Sequence, residues 1–200
     1  MAASTAITGR SVRAVAARTT DLINVLTQKN VDAAAVAGVL RAHGETEPVE
    51  DEDVDRLREA AHRIRQVLAA QDTRVAAERI NRILDRAHPP RLTDHKGTTH
   101  WHVHVDACDD APWAPWFEAS SALMLALVLT DRQRPPGGVC AAHGCERVFV
   151  DCGSGSARRY CSKRCATRAR VAAHRRATTR KEKASQQMTA TASTSTNWSS

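Results

Sequence analysis

CAAHGCERVFVDCGSGSARRYCSKRCATRARVAAHRRATTRKEK, residues 140 to 183, decides how this chain folds at its C-terminal end. The cysteines fall as two close pairs, Cys140 with Cys145 and Cys161 with Cys165, and a short connection lies between the pairs. A tetrahedral zinc ion takes four thiolates near 2.3 Å, and two close pairs joined by a short loop supply them at small entropic cost. The first pair brackets a turn at Gly144. The second opens a helix, because SKRCATRARVAAHRRA contains no breaker and Ser162 is placed to cap it. A knuckle on one side and a helix start on the other is a treble-clef-like arrangement. Val148, Phe149 and Val150 read as a short strand, and Gly153 to Ser156 as a turn leading back to Cys161. A unit this small has almost no core of its own, so metal binding should supply most of its folding free energy. Cys152 and His143 remain alternative ligands at this stage, whereas His174, nine residues past Cys165 on the helix, lies roughly 13 Å away at helical rise.

The helix that leaves the zinc site is strongly cationic. Arg158 to Lys183 carry eleven Lys and Arg against one acid, Glu182, and the first 157 residues have more acids than bases, although the whole chain is +7. An ordinary acidic body joined to a short cationic unit is the electrostatic footprint of a polyanion binder, usually nucleic acid. On a helical wheel Arg164, Arg168 and Arg175 fall within about 40° of one another. Ala166, Ala169, Ala173 and Ala177 gather opposite, where they would pack against the finger or the rest of the chain. Arginine suits bidentate contacts to phosphate or to guanine O6 and N7. Arg158, Arg159 and Arg176 widen the same footprint. Beyond Lys183 the chain is Ser, Thr, Gln and Ala with one tryptophan, Trp198, and is expected to be a disordered tail over 184–200.

Upstream, the chain reads as mainly α with a small β-hairpin. Val54, Leu57, Ala61, Ile64 and Leu68 recur at three- and four-residue steps and predict a helix over 50–71. Further helices are predicted over 12–26, 31–42, 73–87, where Pro89-Pro90 stops the run, and 113–129. Thr98 to Asp106 alternates as a strand, expected to pair with Arg91 to Thr93, with Thr99, Trp101, Val103 and Val105 facing the core and His100, His102 and His104 opposite. These pieces make a helical domain over 1–131, followed by a Pro/Gly hinge over 132–139 and the finger with its basic helix over 140–183.

The cysteine module resembles the CGNR zinc finger. The likeness rests on the C-x4-C pair, on Arg147-Val148-Phe149-Val150-Asp151, on Ser156-Ala157-Arg158-Arg159-Tyr160-Cys161-Ser162, and on Cys165-Ala166-Thr167-Arg168. That family usually sits behind a helical domain called ABATE. Asp21-Leu22-Ile23-Asn24-Val25-Leu26, Leu57-Arg58-Glu59-Ala60 and Ile80-Asn81-Arg82-Ile83-Leu84 are similar to that domain's motifs. The resemblance implies a bacterial transcription regulator that binds DNA. Three positions depart from the pattern: Ala166-Thr167 stands where the family has Gly-Asn, the second cysteine pair is one residue closer, and Cys152 replaces a threonine.

The functional expectation is therefore a zinc-finger DNA-binding transcription regulator with one zinc ion per chain. The alternative is a zinc-dependent adaptor, or an RNA binder, whose basic helix meets an acidic partner. Homodimerisation or small-ligand sensing falls to the N-terminal domain, where His100, His102 and His104, with His95 and Cys108 nearby, could hold a metal or simply form a polar sheet face. Glu59, His62 and His88 read as structural, and no nucleophile elbow, phosphate loop or paired carboxylates argue for an enzyme. The run 143–146, His-Gly-Cys-Glu, lacks the deaminase pattern. The N-terminus has no secretory-type apolar run, and Ser121 to Thr130 is about half a bilayer span, so a cytoplasmic location and no membrane partner are expected.

Overall fold

The computed structural model describes residues 10–97, 100–108 and 111–194, with side chains from Val12 to Arg180 apart from the two short gaps. Five helices build the body: α1 (Arg10–Leu26), α2 (Ala33–Ala42), α3 (Asp51–Leu68), α4 (Thr73–Leu84) and α5 (Trp113–Arg132). Their starts are written locally. The Asp32 carboxylate accepts the Ala35 N–H at 2.8 Å and Asp72 accepts that of Val75 at 2.9 Å. Glu50 and Asp53 form a reciprocal capping box before α3, whose first turn holds Asp51, Glu52 and Asp53 at the positive end of the helix dipole.

Helix α5 is long and apolar enough to span a bilayer by length and composition, yet it is the helix against which α1, α3 and α4 pack. Phe117, Ala122, Met124, Leu125 and Val128 enter a core shared with Leu22, Ile23 and Leu26 of α1, Val36 and Leu40 of α2, Leu57, Ile64 and Leu68 of α3, and Ile80 and Ile83 of α4. Polar contacts fix the register of the layers. Thr19 and Ser121 share a buried hydroxyl bond of 2.9 Å. Arg18 reaches Glu45 at 3.0 Å and Ser120 at 2.9 Å and lies over the Trp116 ring. Burial lowers the Arg18 pKa, and Glu45 opposes that shift. Glu118 accepts both Arg63 and Arg86, and the Glu118 bond raises the Arg63 pKa.

Two antiparallel two-stranded sheets complete the described fold. In the first, β1 (Arg91–Thr93) pairs with β2 (His102–His104), with Arg91 opposite His104 and Thr93 opposite His102. The pairing follows the sequence, but the sides are inverted. Trp101 is 68% exposed, Leu92 66% and Val103 50%, so the apolar side faces outward and the histidine side is the half-buried one. Only Val105, which receives the His88 N–H on its carbonyl, is buried as expected; Thr99 lies outside the described residues. A hairpin this short, hung on the end of α4, cannot turn both faces to the bundle, and the side that closes around Asp106 is the polar one.

The second sheet joins β3 (Gly137–Val139) to β4 (Val148–Val150). Residues 132–139, expected to be a hinge, are therefore not a free linker. A Cβ on Gly137 would sit 2.1 Å from the Phe149 carbonyl oxygen and 2.7 Å from Leu68 Cδ2, so β3 is pressed between its partner strand and α3. Val148 and Val150 belong to the same buried cluster as the five helices. Asn24 of α1 closes the contact, its amide oxygen accepting the Val148 N–H at 2.9 Å and its NH2 donating to the Val148 carbonyl at 3.2 Å. The finger is thus built onto the bundle.

Helix α6 runs from Lys163 to Thr194. The stretch 184–194, expected from composition to be disordered, continues the helix backbone, which follows from the absence of Gly or Pro after Cys165 and the alanines that recur among the polar residues. Residues 195–200, including Trp198, lie outside the description.

Candidate metal centre

The first cysteine pair occupies the tip of the β3–β4 hairpin. Cys140 follows β3 directly and donates its N–H to Arg147 O at 2.9 Å, while Cys145 donates to Ala142 O at 3.0 Å across the Gly144 turn, where φ is +68°. Only a residue free of Cβ strain takes that φ without cost, which is why glycine stands there. The second pair lies at the start of α6. Ser162 Oγ accepts the Cys165 N–H at 3.2 Å, so the expected cap is present and Cys165 is held on the first turn.

These two pieces converge. The Sγ atoms of Cys145 and Cys161 are 3.8 Å apart, those of Cys161 and Cys165 3.6 Å, and those of Cys165 and Cys145 3.8 Å; Cys140 Sγ is within 4.8 Å of them all. A tetrahedron with bonds of about 2.3 Å has edges of about 3.8 Å. The donor set and its spacing fit one zinc ion bound by Cys140, Cys145, Cys161 and Cys165. Neither Cys152 nor His143 joins the cluster. Cys152 packs instead beside the helical core, where burial raises its thiol pKa.

N–H donors and positive charge lie close to the sulfurs. The Cys161 N–H points at Cys140 Sγ from 3.4 Å, Arg168 lies 3.8 Å from Cys165 Sγ, and the positive end of the α6 dipole faces the second pair. In the ion-free chain Cys140 and Cys161 shift in opposite directions. Burial pushes the Cys140 thiol up, but N–H donors from Cys161 and Ala142, with the thiols of Cys161 and Cys145, bring it down to about 7. Cys161 is pushed up to about 12 by burial and by its bonds to Cys165, Cys140 and Cys145. A bound cation overrides this competition and holds all four as thiolates.

The six arginines singled out in the sequence separate by what they touch. Arg158, though exposed, folds back onto the finger: its guanidinium bonds the carbonyls of Tyr160 and Cys161 and lies 5.1 Å from the Phe149 ring centroid, and its backbone N–H is held by Asp151 at 3.1 Å. Arg168 likewise braces the site, through Cys165 Sγ and the His143 carbonyl at 3.4 Å. Arg159 leans over Tyr160 from the surface. Arg164, Arg175 and Arg176 are exposed, and their guanidinium groups have no hydrogen-bond or ion-pair partner among the described residues. The alanine face is only partly used. Ala166 and Ala169 are half-buried against the knuckle, while Ala173 and Ala177 are exposed, as is every residue from Ala173 to Arg180. Helix α6 therefore leaves the zinc site and projects from the body.

Two residues outside the motif hold the site in place, and sequence reading passed over both. Arg134 reaches Asp151 at 3.0 Å and the Gly155 carbonyl at 3.1 Å, tying down the loop that returns to Cys161. Arg65 of α3 donates to the Glu146 carbonyl at 2.7 Å, beside the knuckle. Their charge alone carried no signal, since each looks like one more surface arginine.

Residues 138–177 match the family model of the CGNR zinc finger. No curated protein sequence matches the chain.

Proposed function

We propose that this protein is a cytoplasmic, non-enzymatic DNA-binding transcription regulator, in which zinc fixes the root of α6 and the helix contacts the duplex. One observation carries the reading: the most basic segment of the chain is a helix that, among its described side chains, is anchored at its first turns, with the guanidinium groups of Arg164, Arg175, Arg176 and Arg180 exposed and unpaired among the described residues. Burying a helix requires an apolar stripe, and among the described side chains beyond the first turn this one offers only small alanines and Val171, itself 45% exposed. A long cationic rod offered to solvent on a rigid base has the dimensions and charge of a helix that lies in a major groove. Its charged part, from Lys163 to Lys183, spans roughly 32 Å of the helix. The upstream likeness to ABATE motifs supports the same reading, with the helical body in the role of a dimerising or ligand-sensing unit.

Binding to mixed-sequence duplex fragments at several salt concentrations tests it. A steep negative slope of log affinity against log salt is expected, and replacing Arg164, Arg175 and Arg176 by alanine should make it shallower by about 3, given about 0.9 per phosphate contact. Absence of DNA retention by the zinc-loaded protein even at low salt would overturn the proposal in favour of an adaptor that meets an acidic protein. Stronger retention of single-stranded RNA than of duplex DNA would reassign the helix to RNA.

A further inference from the structure

A second group of nitrogen donors lies away from the cysteines, on the β1–β2 hairpin. His95, His102 and His104 turn their rings toward one point: Nε2 of His102 is 3.1 Å from Nε2 of His95 and 3.0 Å from Nε2 of His104, and the ring centroids are 4.8 to 5.0 Å apart. The strand places two of them. His102 and His104 are two residues apart and share the half-buried side of β2. His95 arrives from the connecting turn, whose left-handed residues His95, Lys96 and Gly97 fold the chain back over the strand. His100, the third histidine of the alternating run, is exposed and outside the cluster.

The outer nitrogens determine what the inner ones can do. His102 Nδ1 lies 2.7 Å from the His100 carbonyl, which only accepts, so that nitrogen carries the proton. His104 Nδ1 lies 2.8 Å from the Asp106 carboxylate, a buried group also paired with Arg91, so it too carries the proton. In the neutral ring the other nitrogen then has a bare lone pair. Both Nε2 lone pairs are consequently aimed into the space shared with His95, and those of His102 and His104 oppose each other at 3.0 Å. A proton donated by His95 could satisfy one of them and leaves the other unmet. The three rings each offer a nitrogen, these nitrogens all lie within 4.8 Å of one another, and the two lone pairs that oppose each other are relieved by a cation placed between them.

We propose that His95, His102 and His104 form a second metal site, separate from the cysteine centre, for a divalent d-block ion of the zinc class. Imidazole nitrogen suits zinc, cobalt, nickel and copper and disfavours magnesium and calcium. Asp106 is the positioning residue, fixing the tautomer and ring orientation of His104 in the way carboxylates support metal-bound histidines. Three protein donors leave a further coordination position for water or a small ligand, which distinguishes this site from the closed four-sulfur centre.

Cobalt and zinc titration of the full-length chain tests the assignment, with elemental analysis and the visible spectrum as readouts. The wild-type protein should hold two equivalents, one giving the strong thiolate-to-cobalt charge-transfer band and one only the weaker bands of nitrogen ligation. The double variant His102→Ala/His104→Ala should hold one equivalent and keep the charge-transfer band; Cys161→Ser should lose that band and keep the nitrogen bands. Because alanines on β2 could loosen the hairpin, Asp106→Asn and His95→Asn provide the second check. Asp106→Asn should weaken the second equivalent by about 10- to 100-fold. His95→Asn, where asparagine tolerates the left-handed backbone, should weaken it with unchanged far-UV circular dichroism. A wild-type chain that takes up one equivalent at micromolar free zinc overturns the proposal and leaves the cluster as three hydrogen-bonded imidazoles. Two equivalents retained by the double variant would overturn it as well.

Discussion

Single side chains decide whether the finger and the bundle are one body. Asn24 is the clearest case, since it occupies both hydrogen-bonding groups of Val148, one residue of a strand whose other edge is already paired to β3. Leaving a buried N–H or C=O unmet costs about 1 to 3 kcal/mol. Asn24→Ala should therefore destabilise the chain by about 2 kcal/mol or more in urea unfolding; a change within error would show that water replaces the amide freely. Gly137 acts through space it does not fill. Gly137→Ala forces a methyl group against the Phe149 carbonyl and Leu68, and overpacking of this kind costs about 1 to 3 kcal/mol. The expected result is a lower melting temperature together with faster proteolysis within 137–165, and an unchanged cleavage pattern would place the strand more loosely than described.

At the scale of elements, the arginines of α6 and of the loop before it divide by what they touch. Arg158, on the loop just before the helix, holds the carbonyls of Tyr160 and Cys161, whereas Arg175 and Arg176 lie on the exposed part of the helix. The two kinds of substitution should separate cleanly. Arg158→Ala should lower thermal stability and zinc retention, and Arg175→Ala/Arg176→Ala should leave both unchanged while reducing the salt slope of DNA binding by about 2. Equal loss of zinc retention in both proteins would show that the helix is not free of the knuckle. The β1–β2 hairpin is the other element whose faces matter: its apolar residues Leu92, Trp101 and Val103 face outward, and its histidines converge on the side that holds Asp106.

In the whole molecule the metal centre stabilises more than its own loop. Val148 and Val150 share the buried cluster with all five body helices, and their strand is the one whose tip ends at Cys145. Removing zinc frees that tip, so chelation should lower the cooperative melting temperature followed by far-UV circular dichroism, beyond the small helical loss expected from α6 alone. A body that melts at the same temperature with and without chelator would mean that the hairpin stays docked when the ion is gone.

Much of this was already written in the amino-acid order. Helix positions followed from three- and four-residue apolar spacing and from capping residues such as Asp32 and Asp72, because those forces act within a few residues of chain. The zinc ligands followed for the same reason: two close pairs of cysteines impose their geometry locally, and Ser162 caps the helix between them. What the sequence could not determine is which surfaces meet. The Pro-Gly stretch 132–139 has the composition of a hinge and becomes a docked strand, because the glycines that make a chain flexible also let it approach Phe149 and Leu68 closely. Trp101 alternates like a core residue and is exposed, since the side a short hairpin turns inward is set by its attachment to α4 and by Asp106. His95 joins His102 and His104 through a left-handed turn that no periodicity encodes. Local spacing fixed the elements and the cysteine centre, and long-range contact decided that finger and bundle share one core.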